Sequence, residues 1–120
     1  MAQHNDLGKK GEKLALEALK KKGYTILETN WRHEKQEVDI IAKDKDELVI
    51  VEVKTRSTAF FGAPEDAVTP AKATRLIEAA EAYTELHNLD MDIRFDIVSI
   101  VMDKEISMNH IKDAFFAADF

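Results

Sequence analysis

Apolar positions change period several times along the chain, and each change marks an element. From Asp6, a candidate N-cap, Leu7, Gly11, Leu14, Ala15, Ala18 and Leu19 fall on one stripe at helical spacing. Lys20, Lys21 and Lys22 put positive charge at the C-terminal end, where it suits the helix dipole, and Gly23 closes the helix. Tyr24 to Trp31 is rich in β-branched and aromatic residues and reads as a strand. Glu37 to Lys43 and Glu47 to Thr55 are two more strands, separated by the polar Asp44-Lys45-Asp46. A looser stretch follows, containing Phe60-Phe61-Gly62-Ala63-Pro64. Thr69 as N-cap and Pro70 at the first helical position open a second helix, whose stripe of Leu76, Ala79, Ala80, Tyr83 and Leu86 runs to about Asn88. Met91 to Met102 and Ile106 to Ile111 are the last two strands, around Asp103-Lys104-Glu105. The order α-β-β-β-α-β-β predicts an α/β fold with a central mixed sheet flanked by helices. No repeat, linker or low-complexity tract interrupts it, so residues 1–120 read as a single domain.

The first hairpin with strict alternation carries the chemistry. In the second strand Glu37, Asp39 and Ile41 share a face, with Val38, Ile40 and Ala42 opposite. In the third, Leu48, Ile50, Glu52 and Lys54 share a face, with Val49, Val51 and Val53 opposite. The apolar faces must lie together, because a one-residue slip would turn a whole set outward. A turn at Lys45-Asp46 then pairs Ile41 with Ile50, Asp39 with Glu52 and Glu37 with Lys54. Two carboxylates directly opposite have stems about 4.5–5.5 Å apart and destabilise the pair, more so where apolar neighbours lower the dielectric. A divalent cation held between Asp39 and Glu52 would relieve the repulsion, and the backbone carbonyl of Val53 offers a further oxygen. Two carboxylates with Lys54 nearby suit phosphodiester hydrolysis, in which a cation polarises the phosphate and acidifies a water. The competing reading is a hairpin whose polar end meets solvent, with Glu37 and Lys54 as a cross-strand salt bridge. The pattern alone leaves both open.

Composition narrows the chemistry. The 120 residues include no cysteine, which excludes a disulfide framework, a zinc ribbon and a thiol nucleophile. A metal must bind through oxygen or imidazole, which favours Mg2+ or Mn2+. The longest apolar run, Ala114 to Ala118, is far below the roughly 18 residues of a membrane span. The polar start Met1-Ala2-Gln3-His4-Asn5-Asp6 shows no secretory signal, so a cytoplasmic location without membrane contact is expected. The net charge of −6 argues against indiscriminate nucleic-acid binding. It hides an asymmetry: residues 1–75 carry 14 Lys and Arg against 13 Asp and Glu, whereas residues 76–120 carry 3 against 10. A polyanion can therefore meet a locally positive face.

Eight short segments strengthen one of the two hairpin readings. In order they are Gly8-Lys9-Lys10-Gly11-Glu12, Asn30-Trp31-Arg32, Glu37-Val38-Asp39-Ile40-Ile41-Ala42, Val51-Glu52-Val53-Lys54-Thr55-Arg56, Phe61-Gly62-Ala63-Pro64-Glu65, Lys72-Ala73-Thr74-Arg75, Arg94-Phe95-Asp96-Ile97-Val98 and His110-Ile111-Lys112-Asp113-Ala114-Phe115. Together they resemble the YraN family of small bacterial predicted endonucleases. That family is in turn similar to archaeal Holliday-junction resolvases and the PD-(D/E)xK restriction-endonuclease-like superfamily. The resemblance implies a restriction-endonuclease-like core and metal-dependent cleavage of DNA, with branched DNA such as Holliday junctions as a candidate substrate. It implies Asp39 and Glu52 as metal carboxylates, Lys54 as catalytic lysine and Glu12 as an additional acid that binds the metal or orients its water. It also points to a homodimer. The chain departs from the family at Gln36, where Gly is usual, and lacks the superfamily's nominal Pro before the Asp.

Further residues follow from these assignments. Gly8 and Gly11 would let the first helix approach the sheet. Lys72 and Arg75, on the exposed flank of the second helix, and Arg32 and Arg56, flanking the site, are candidate phosphate contacts. His110 is expected to make a local hydrogen bond, Asp96 to be buried and hydrogen-bonded, and Trp31 to serve the core or a base-stacking platform. Phe115, Phe116 and Phe120 would close the core or an oligomer contact. Two other functions fit the same sequence: a nucleic-acid-binding module without turnover, and a protein-interaction adaptor using the acidic second half.

Overall fold

Helix α1 (Ala2–Lys21) leads into three strands, β1 (Thr25–His33), β2 (Gln36–Asp44) and β3 (Glu47–Arg56). Helix α2 (Pro70–Leu86), strands β4 (Asp92–Met102) and β5 (Ile106–Phe115), and a 3-10 turn over Ala117–Asp119 follow. The computed structural model describes residues 2–57 and 68–120, with backbone alone over 2–5. The loop expected around Phe60-Phe61-Gly62-Ala63-Pro64 lies outside the described residues. The strands form one five-stranded sheet in chain order, in which β3 and β4 are parallel and every other pair antiparallel. Parallel neighbours need a crossover, and α2 lies on the one between β3 and β4.

Two apolar layers sandwich the sheet. Ile40, Ala42, Val49, Val51, Val98 and Ile100 pack with Ala15 and Leu19 of α1. Ile41, Leu48, Ile50 and Phe95 pack with Leu76, Ala79, Ala80 and Tyr83 of α2. On α2 the sequence signals act as expected, since the Thr69 hydroxyl accepts the Lys72 N–H at 3.2 Å and Pro70 opens the first turn. Helix α1 instead begins at Ala2, so Asp6 lies inside it and caps nothing. Strand β5 runs past Ile111 because an irregularity between Phe95 and Ile97 lets Asp113 adopt φ 51°, and the Asp113 N–H donates to Asp96 at 3.2 Å. Gly11 touches β3 so closely that a Cβ there would collide with the Thr55 side chain, whereas Gly8 has open space around it. The close approach belongs to Gly11 alone.

Alternation fails at one position. Val38 packs in the α2 layer, not with Ile40 and Ala42 as a regular strand requires. The β1–β2 register, Thr29 with Ile40 and Trp31 with Val38, puts Asn30 opposite Asp39. Asn30 takes the left-handed φ of 50°, a conformation Asn tolerates better than most residues, so both strands twist there. Trp31 joins the α2 layer with its ring edge-on to Tyr83, which answers the Trp31 question in favour of packing.

A buried polar network holds the opposite end of the sheet. The Arg94 guanidinium donates to both Asp96 oxygens at 2.9 and 3.0 Å, to Asp44 at 2.9 Å, to Glu47 at 3.1 Å and to the Tyr24 hydroxyl at 2.6 Å. His110 Nε2 bonds Asp96 at 2.8 Å and its Nδ1 meets the Lys22 ammonium at 2.7 Å. An ammonium only donates, so Nδ1 is the acceptor and Nε2–H the donor to Asp96. His110 is thus a hydrogen-bonding residue, as its isolation from other histidines suggested.

Candidate functional site

Strands β2 and β3 pair in the expected register, Ile41 with Ile50, but the ladder ends at Ile40 with Val51. Beyond it the strands fork, and a side chain replaces the missing strand partner: Asp39 Oδ2 accepts the Val53 N–H at 2.8 Å. Glu52 turns into the same fork, its side chain 12% exposed. Burial first, then the charge of Asp39, push the Glu52 carboxyl up to about 7, and a hydrogen bond with Asp39 acts in the same direction. The two acids therefore meet, although they are no longer a ladder pair.

Other elements reach the fork from each side. From α2, the Lys72 ammonium lies 3.3 Å from Glu52 Oε2 and favours its ionised form. From α1, Glu12 follows Gly11, so the tight contact at Thr55 brings its carboxyl down to the sheet. Burial and then Asp39 raise Glu12, while a hydrogen bond from Asn30 pulls it back. Asp39 stands at the centre, coupled to Glu12 from one layer and to Glu52 from its own sheet. Among the described residues, no three His, Asp or Glu side chains form a ready ligand set for a metal ion.

The remaining predicted residues divide. Lys54 is exposed on β3, past the end of the β2 ladder, and it is Lys72 that pairs with Glu52. Lys72 thus lies inside the site and not on an exposed flank. The expected Glu37–Lys54 bridge does not form. The fork parts those strands, while β1 stays in register, so Arg32 pairs with Glu37 at 3.6 Å. Arg56 is half-buried near the end of β3, opposite Val101, and Arg75 is exposed on α2. Gln36, the departure from the family pattern, donates to Glu78 at 2.8 Å and ties the start of β2 to α2.

A model of a family described as uncharacterised, UPF0102, matches residues 11–100, a span that holds Glu12, Asn30, Asp39, Glu52, Lys54 and Lys72. The chain belongs to the UPF0102 family. A UPF0102 protein of Flavobacterium psychrophilum is 54% identical over 97% of this chain and 98% of its own. Its counterpart in Christiangramia forsetii is 52% identical, again over 97% and 98%. That of Parabacteroides distasonis is 48% identical over 98% of both chains. The UPF0102 match places the fork within the shared region and leaves His110 and the terminal phenylalanines beyond it.

Two site residues were not legible as such. Asn30 stands out in sequence only as a polar residue in a strand otherwise rich in β-branched and aromatic positions, and its role needs the left-handed twist to be seen. Lys72 had a visible charge but no visible target, because only the docking of α2 brings it to Glu52. Apart from the fork, the described residues include a small apolar cavity of about 130 Å³ lined by Ile77, Phe95, Phe115 and Phe116, none of them a member of the acidic cluster.

Proposed function

We propose that this UPF0102 protein is a metal-dependent endonuclease acting on DNA, with branched or otherwise structured DNA as the favoured substrate. The observation that carries the reading is the Asp39–Glu52 encounter, in which burial and mutual repulsion push Glu52 to about 7 beside Asp39. Such a pair asks for positive charge. Magnesium is commonly held by one or two carboxylates, with waters and substrate phosphate completing the shell, so a pair without a third acidic ligand fits it. The Val53 carbonyl supports the same set. On a strand a residue's N–H and C=O point to the same side, and the Val53 N–H points at Asp39.

In this reading Asp39 and Glu52 hold Mg2+ or Mn2+, which when bound polarises the scissile phosphate and makes a water acidic enough to attack. Glu12, drawn toward the protonated form by burial and Asp39, is placed to orient that water and accept its proton. Lys54 faces outward beside Glu52 and stabilises charge developing on the phosphate. Arg32, Arg56, Lys72 and Arg75 contact flanking phosphates. Purified protein incubated with magnesium or manganese should nick four-way junctions in preference to duplex or single-stranded DNA. Lys54→Ala and Asp39→Ala should abolish cleavage, and folded wild type that cuts none of the three substrates ends the proposal.

One observation favours a second reading. The Lys72–Glu52 ion pair already supplies a positive charge to the acids, as a nucleic-acid-binding module without turnover would need. Such a module binds DNA with a steep salt dependence and gains nothing from magnesium.

A further inference from the structure

We propose that Lys72 is a built-in competitor for the metal: its ammonium and a divalent cation take Glu52 in exchange, and the ammonium set free is delivered to a substrate phosphate. This rests on Asp39 and Glu52 being the metal pair. Glu52 has little room for two cations, because its side chain is 12% exposed and enclosed by the fork, while Lys72 reaches it from α2 at 3.3 Å. An ammonium left beside a divalent ion would face like-charge repulsion in a site of reduced dielectric. It has somewhere to go. The Lys72 side chain is 35% exposed, and its four-carbon stem can swing outward without moving the helix.

The backbone of Lys72 is meanwhile fixed. Its N–H is held by the Thr69 cap at 3.2 Å, and the next residue, Ala73, is fully buried. An ammonium released from Glu52 therefore emerges at the first turn of α2, where the helix dipole already favours an anion, with exposed Arg75 one turn along. The exchange couples metal loading to phosphate binding. The acids gain a dication, and the substrate gains the monocation that had been neutralising them.

Calorimetric titration of magnesium into wild type, Lys72→Met, Lys72→Arg and Asp39→Asn tests this, at about pH 9 so that Glu52 is ionised throughout. Lys72→Met should bind magnesium about two- to five-fold tighter than wild type, the worth of a part-exposed ion pair. Lys72→Arg should stay close to wild type. With calcium in place of magnesium, Lys72→Met should bind junction DNA with a log–log salt slope smaller by about one phosphate contact. If magnesium binds wild type and is lost in Asp39→Asn, yet Lys72→Met binds it no tighter, Lys72 is a fixed ion-pair partner and the exchange is overturned while the metal pair stands. If wild type takes up no magnesium that depends on Asp39, the metal pair itself fails and takes the exchange with it.

Discussion

Glu52 and Asp96 are both buried acids, and their surroundings drive them in opposite directions. Glu52 has burial and Asp39 against it, so its carboxyl rises from 4.5 to about 7. A carboxyl raised on folding penalises the folded state once it ionises. The penalty is absent below about pH 4 and complete above about pH 8, and it amounts to roughly 3 kcal/mol. Glu52→Gln should accordingly stabilise the protein by about 1–3 kcal/mol at pH 8 and by little at pH 4, in urea denaturation at the two values. A loss of stability at pH 8 would mean that the Lys72 pair outweighs the burial cost. Asp96 also suffers burial, but hydrogen bonds from His110 and Arg94 prevail and hold it below the usual carboxylate range. Its contribution is present above the unfolded value and fades as pH falls through the folded one. Asp96→Asn should cost about 3 kcal/mol or more at neutral pH, read from the shift in the denaturation midpoint, because it uncouples a buried guanidinium from its nearest carboxylate. Both acids were legible in sequence as polar residues within apolar strands. Their directions were not, because the deciding neighbours, Lys72, His110 and Arg94, come from other elements or from a side-chain turn that periodicity does not reveal.

Among the elements, the two glycines of α1 show how much a pattern can and cannot tell. Both fall in one helix, and spacing gives no reason to treat them differently. The sheet does. Gly11 lies against Thr55 and Gly8 against nothing within 4 Å. Gly8→Ala should therefore raise stability by about 0.5–1 kcal/mol through helix propensity alone. Gly11→Ala should lower it by about 1–3 kcal/mol through overpacking, and Thr55→Ala in the same chain should recover most of the loss. Equal effects of the two glycine substitutions in thermal denaturation would remove the close contact as the reason for Gly11. The element order, the cap at Thr69 and the β2–β3 register were readable because each rests on local chemistry or on a two-residue period. The fork was not. It depends on Asn30 adopting φ 50° in the middle of β1, and alternation assumes that no strand residue does so.

For the molecule as a whole, the question is whether three acids gathered from α1, β2 and β3 exist for chemistry or for structure, and Asp39 can separate the two. It does two jobs: one oxygen accepts the Val53 N–H where the ladder ends, and its charge acts on Glu12 and Glu52. Asp39→Ala removes both and leaves a part-buried N–H without its partner, which costs about 1–3 kcal/mol. Asp39→Asn keeps an acceptor oxygen for Val53 and removes only the charge. The asparagine variant should therefore melt at or above the wild-type temperature, since Glu52 loses a repelling neighbour, whereas the alanine variant should melt lower. If the cluster is catalytic, neither variant should cleave DNA in magnesium, and Asp39→Asn should bind DNA without metal at least as tightly as wild type, because one negative charge has left the surface that meets the phosphates. An Asp39→Asn protein that cleaves as wild type does would assign the acids to the fold and not to the reaction.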